Sequence, residues 1–114
     1  MDGLWTVEFG SNSGLFGSGV IVMRNGRIEG GDDSYYYIGS YEPTSERTYP
    51  ASFKATLSVK PFLSGRESVF KSFNKDLTLN LVGTLNSENS AVAVGTPEGM
   101  PAMNLGVRLT RKTT

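Results

Sequence analysis

Histidine and cysteine are both missing from this chain. With them go the commonest general base, the usual zinc and copper ligands, the thiol nucleophile and any disulfide framework. Net charge of either sign is missing too, because eleven basic residues cancel eleven acidic ones. No general field draws the chain to nucleic acid or to an anionic membrane surface. The charges are mixed, with no run of five or more of one sign. No stretch approaches the ~18 apolar residues that a membrane-crossing helix needs. Together these absences favour binding over chemical transformation: the expectation is no enzyme activity, no cofactor and no metal.

What is present is glycine, aromatic residues and a period of two. Fourteen glycines, six Phe, five Tyr and one Trp are spread over 114 residues, a length suited to one domain. Leu4 to Phe9 alternates, with Trp5, Val7 and Phe9 on one face. Gly10 to Gly14 reads as a loop, and Leu15 to Met23 as a second strand interrupted by Gly17 and Gly19. Glycine inside a strand marks a bulge or a bend that lets a sheet curl. Arg24-Asn25-Gly26-Arg27 is the signature of a type I′ hairpin turn and sets Met23 opposite Ile28.

Gly30-Gly31-Asp32-Asp33 is a further turn, and Ser34 to Tyr41 a further strand. The triplet Tyr35-Tyr36-Tyr37 cannot face one way, since side chains alternate along a strand. Tyr35, Tyr37 and Tyr41 share a face with Gly39, while Tyr36, Ile38 and Ser40 take the other. Aromatic surface on both faces suggests that the outer one meets a partner. After a Pro-containing loop from Glu42 to Pro50, the clearest alternation sets Phe53, Ala55, Leu57 and Val59 against Lys54, Thr56, Ser58 and Lys60. Leu77, Leu79, Leu81 and Leu85 repeat it, and Ala91–Val94 and Leu105–Leu109 add two short strands around a turn-rich stretch from Thr96 to Pro101. Pro61 to Asn74 breaks the period and reads as a short helix or an ordered loop.

About eight short strands with tight turns predict an all-β chain, a single antiparallel β-barrel domain over residues 1–114, with a sandwich as the other solution. An eight-stranded barrel has room for packed side chains or one small apolar ligand. Trp5, Val7, Tyr35, Tyr37, Phe53, Leu57 and Leu79 are the candidate lining of such an interior, whether packed or hollow. Phe62, Phe70 and Phe73 are candidates to plug one barrel end, to form a dimer contact, or to lie over the core.

The motifs that carry chemistry elsewhere are weak here. Gly14-Leu15-Phe16-Gly17-Ser18-Gly19 lacks the Lys-Ser/Thr of a phosphate loop and leads into a strand. Asp32-Asp33 has no further acids at calcium-loop spacing, so fixing the turn is its simpler role. A carboxylate pair drawn from Glu8, Glu29, Asp32 and Asp33 would need convergence in space that a sequence does not show. The opening Met1-Asp2-Gly3 runs straight into a strand pattern, so no basic, apolar signal segment is seen and the expected location is the cytoplasm.

Two stretches carry a resemblance. They are Asp2-Gly3-Leu4-Trp5-Thr6-Val7-Glu8-Phe9, and Gly17-Ser18-Gly19-Val20 through Arg24-Asn25-Gly26-Arg27-Ile28-Glu29-Gly30-Gly31-Asp32 to Tyr37-Ile38-Gly39. Their order and spacing, over roughly the first forty residues, resemble the GrlR-like family, negative regulators of type III secretion gene expression in attaching-and-effacing enterobacteria. The resemblance implies a calycin-like barrel with an apolar cavity and a plugging loop, working as a homodimer. It implies a regulatory role in which a helix-turn-helix transcriptional activator is bound and kept from DNA; the balanced charge fits contact with protein, and no direct nucleic acid or membrane contact is expected. A lipid-like apolar small molecule held inside is the alternative. The family's Glu-Asp-Glu-Asp run after the Tyr-x-Gly strand is replaced here by Tyr41-Glu42-Pro43-Thr44-Ser45-Glu46-Arg47, a weaker electrostatic attachment. By position, Glu42 and Glu46, with the outward Tyr36, are the partner-binding candidates.

Overall fold

Each strand of this protein has a face to bury, and a single sheet hides all of those faces by curling until its edges meet. A computed structural model shows that closure. It describes residues 1–11, 14–42, 48–62, 77–100 and 102–112, with the side chains of 11 and 14–16 not included. The strands are β1 (Gly3–Ser11), β2 (Gly14–Arg24), β3 (Arg27–Gly31), β4 (Tyr35–Tyr41), β5 (Ala51–Pro61), β6 (Leu77–Ser87), β7 (Ser90–Pro97) and β8 (Leu105–Arg111). They follow one another around a closed barrel in chain order. Every neighbouring pair is antiparallel, and β8 returns to β1 with Val7 opposite Leu109. The fold is therefore an all-β, antiparallel, eight-stranded barrel.

The hairpin turn expected at Asn25-Gly26 is present. Both residues hold positive φ, 51° and 81°, and Met23 pairs with Ile28. This backbone twist matches the twist of the strands it joins, which is why Asn-Gly is favoured there. The register of β1 on β2 shifts between Phe9 and Gly10, where Gly17 lies opposite Phe9. That irregularity is the bulge anticipated from glycine within the strand.

Several strands run further than their alternation indicated. Gly10, Ser11 and Gly14 belong to β1 and β2 and not to a loop. Pro61 ends β5, and Thr96 and Pro97 end β7. Proline usually breaks a ladder because it has no N–H to donate. Pro61 pairs with Tyr35 on one side, and on the other β6 begins only opposite Val59. Pro97 pairs with Leu79, and on its other side β8 begins opposite Gly95. Each proline thus sits where one neighbour has already ended, so the missing donor costs little. Of the helix or ordered loop expected over Pro61 to Asn74, Pro61 instead ends β5, and residues 63–74 lie outside the described residues.

The apolar faces point inward. Trp5, Val59, Leu79, Leu85 and Ala91 have no exposed surface, and Met23 and Tyr37 almost none. Among the described residues no helix is long and apolar enough to cross a membrane.

Candidate functional site

The barrel interior is the natural seat for an apolar ligand. All seven candidate lining residues, Trp5, Val7, Tyr35, Tyr37, Phe53, Leu57 and Leu79, are buried. Five of them, Val7, Tyr37, Phe53, Leu57 and Leu79, bound an apolar cavity of about 40 Å³. Trp5 and Tyr35 are buried in the core but do not border it. Ile21, Met23, Ile28, Ala93 and Val107 also line it, and their inward phase was legible once their strands were recognised. The space exceeds the ~10–15 Å³ that one water occupies. It falls far below the hundreds of Å³ of a drug-sized ligand pocket.

Glu8, Glu29, Asp32 and Asp33 do not gather at one site. Asp32 closes the β3–β4 turn, its Oδ1 accepting from the backbone N–H groups of Ser34 at 2.8 Å and Tyr35 at 2.9 Å. Its Oδ2 accepts from the Tyr37 hydroxyl. Burial first, and this carboxylate second, hold the Tyr37 phenol far above its ordinary ionisation range. Asp33 accepts from the Ser34 hydroxyl at 3.2 Å. Glu8 stands 3.8 Å from Arg108, and Glu29 3.8 Å from Arg27. Each of these acids is engaged by its own neighbours, and among the described residues no three metal-ligating side chains of His, Cys, Asp or Glu type come together. The turn-fixing role expected of Asp32-Asp33 is the one observed.

Among the described residues, exposed apolar side chains group on two parts of the outer surface. On β2 and β4, Val20, Val22, Tyr36 and Ile38 are each between 39% and 46% exposed. The registers place them in two rows, Val22–Glu29–Ile38 and Val20–Gly31–Tyr36. On β6 and β7, Val82 is 60%, Val94 50% and Val92 45% exposed. Val82 lies directly opposite Val94, with Lys54 on one flank and Gly106 on the other. β3 and β7 are four strands apart in a ring of eight, so the two faces look in opposite directions.

Of the partner-binding candidates, Tyr36 and Glu42 are both exposed but do not meet. Tyr36 belongs to the β2–β4 face. The Glu42 N–H donates to the carbonyl of Lys54 at 2.9 Å, which extends the row Lys54–Val82–Val94 by one strand and sets the acid beyond Lys54, the residue that borders Val82. Phe62 is exposed at the end of β5, its N–H donating to the Ser34 carbonyl at 2.9 Å. Glu46, Phe70 and Phe73 lie outside the described residues. The valine cluster escaped sequence reasoning because Val82 and Val94 become neighbours only through the β6–β7 register.

The fold and its surface define a class: a closed antiparallel barrel with a small apolar cavity and, among the described residues, apolar outer faces on β2–β4 and on β6–β7. No model of a known protein family matches the chain, and no curated protein matches it either.

Proposed function

We propose that the protein is a non-enzymatic regulatory binding module, a calycin-like barrel acting in the cytoplasm as a negative regulator of transcription. It holds a basic helix-turn-helix activator by protein contact, in the manner of the GrlR-like regulators it resembles, and so keeps that activator from DNA. The observation that carries the reading is the Val82–Val92–Val94 face, exposed on the outside of a barrel whose interior cavity is only about 40 Å³. Exposed contiguous apolar surface is costly to keep in water and marks interaction sites. Glu42, one strand beyond Lys54, supplies a carboxylate for a basic partner, and charge there sets encounter rate more than affinity.

Co-purification with the activator of a type III secretion gene cluster tests this directly. The intact chain retains that activator, Val82→Asp and Val94→Asp lose it, and the barrel alone shifts no DNA. An activator that never co-purifies with the intact chain overturns the assignment. The alternative, carriage of a lipid-like molecule, requires the interior to open well beyond 40 Å³. It predicts a small molecule released on denaturation and seen by mass spectrometry.

A further inference from the structure

We infer, resting on the activator capture proposed for this face, that the valines of β6 and β7 seat an amphipathic helix of the partner whose apolar stripe is flanked by carboxylates. Such a helix is not the basic one that reads DNA.

The barrel constrains the partner's backbone first. Its strands form a closed ring in which each is hydrogen-bonded to a neighbour on both sides. A partner finds no sheet edge to extend, so an element laid on the outer face must satisfy its own N–H and C=O groups. A helix does so internally. Val92 and Val94 stand two positions apart on β7, roughly 7 Å, and Val82 lies directly opposite Val94 on β6. Apolar side chains one helical turn apart, about 5.4 Å, can rest on this triangle.

Charge then selects the helix. Lys54 lies opposite Val82 on β5, and Arg108 opposite Val92 on β8. The two cations stand on opposite sides of the valines, out of step by one outward position, and both are exposed. Among the described residues Lys54 enters no ion pair, and Arg108 meets Glu8 only at 3.8 Å, with 71% of its side chain in solvent. An exposed pair that loose contributes little, so both cations are available. A helix over β6 and β7 passes between them. Carboxylates on either side of its apolar stripe, about one turn apart, meet one cation each, while the long Lys and Arg stems cover its flanks. A basic helix would set like charge against both, which disfavours it. Glu8 and Glu42 lie one strand beyond Arg108 and Lys54 respectively, outside this contact.

Two synthetic helical peptides, titrated against the full chain by fluorescence anisotropy, provide the test. They share one leucine stripe and differ only in carrying glutamate or lysine beside it. The glutamate peptide binds at least about tenfold more tightly than the lysine peptide, and added salt narrows the difference. Lys54→Glu with Arg108→Glu, confirmed as folded by circular dichroism, reverses the order. Equal affinities, preference for the lysine peptide, binding of neither, or an order unmoved by the charge reversal overturns the inference. An activator captured equally well by the charge-reversed chain also overturns it and leaves the functional assignment standing. An activator that never co-purifies, with the glutamate peptide still preferred, overturns only that assignment.

Discussion

Three aromatic side chains show how a buried polar atom is handled here. The Trp5 indole N–H donates to the Met1 carbonyl at 2.9 Å, the Tyr37 hydroxyl to Asp32, and the Tyr41 hydroxyl to Asp2 at 2.7 Å. Removing one partner of such a pair exposes the other to the full desolvation penalty. Tyr37→Phe leaves Asp32 short of a donor and is expected to lower stability by about 1–2 kcal/mol in urea unfolding. The Tyr41 pair gives a pH signature. Burial, then the Asp2 hydrogen bond, push the Tyr41 phenol up to about 12 from 10.0. Its stabilisation is therefore complete below pH 10 and declines as pH rises towards 12, because the unfolded chain ionises first. Asp2 moves the other way: the Tyr41 hydroxyl holds its carboxyl below the ordinary 3.8. Its part of the stabilisation is present above that value and is lost as pH falls through the lower folded one. Tyr41→Phe should flatten the alkaline decline, read as the change in urea midpoint between about pH 9 and about pH 11. An unchanged slope would remove Tyr41 from the explanation.

At the scale of strands and turns, local chemistry and cross-strand contact make different demands. The Asn25-Gly26 turn is decided by two residues and was legible as such. Gly83 is not. It reads as a gap in the alternation of β6, yet it sits opposite Phe53 on β5. A Cβ there would lie 2.5 Å from the Phe53 ring and 2.5 Å from the Val92 carbonyl oxygen. The ring covers the glycine, and the glycine makes room for the ring. Gly83→Ala should therefore cost about 1–3 kcal/mol through overpacking. Phe53→Leu in the same chain should recover part of that loss, and additive losses in the double variant would show that the ring is not the obstacle. Strand ends were the least legible feature for the same reason. Pro61 and Pro97 look like breakers in a linear reading, and only the staggered ends of their neighbours make them harmless.

For the molecule as a whole, closure turns eight half-buried strands into one core and two outward faces. The core should behave cooperatively: Leu79→Ala, at a fully buried position on the cavity wall, is expected to lower stability by about 2–5 kcal/mol, measured by chemical denaturation. The faces should behave independently, since β3 and β7 lie across the barrel from each other. Val82→Asp should abolish activator capture, and Ile38→Arg should leave it unchanged. Loss of capture in both variants would indicate a single shared interface and sink the two-face arrangement.

What the linear chain determined was which residues lie inside. A period of two in hydrophobicity assigns faces strand by strand, and Asn-Gly assigns a hairpin, because both are short-range physics. The tertiary structure alone decided which outward residues become neighbours. Val82 joins Val94, and Glu29 comes to lie between Val22 and Ile38, through registers set by long-range pairing. Closure decided the size of the interior as well, since the space left at the centre depends on how side chains from all eight strands meet.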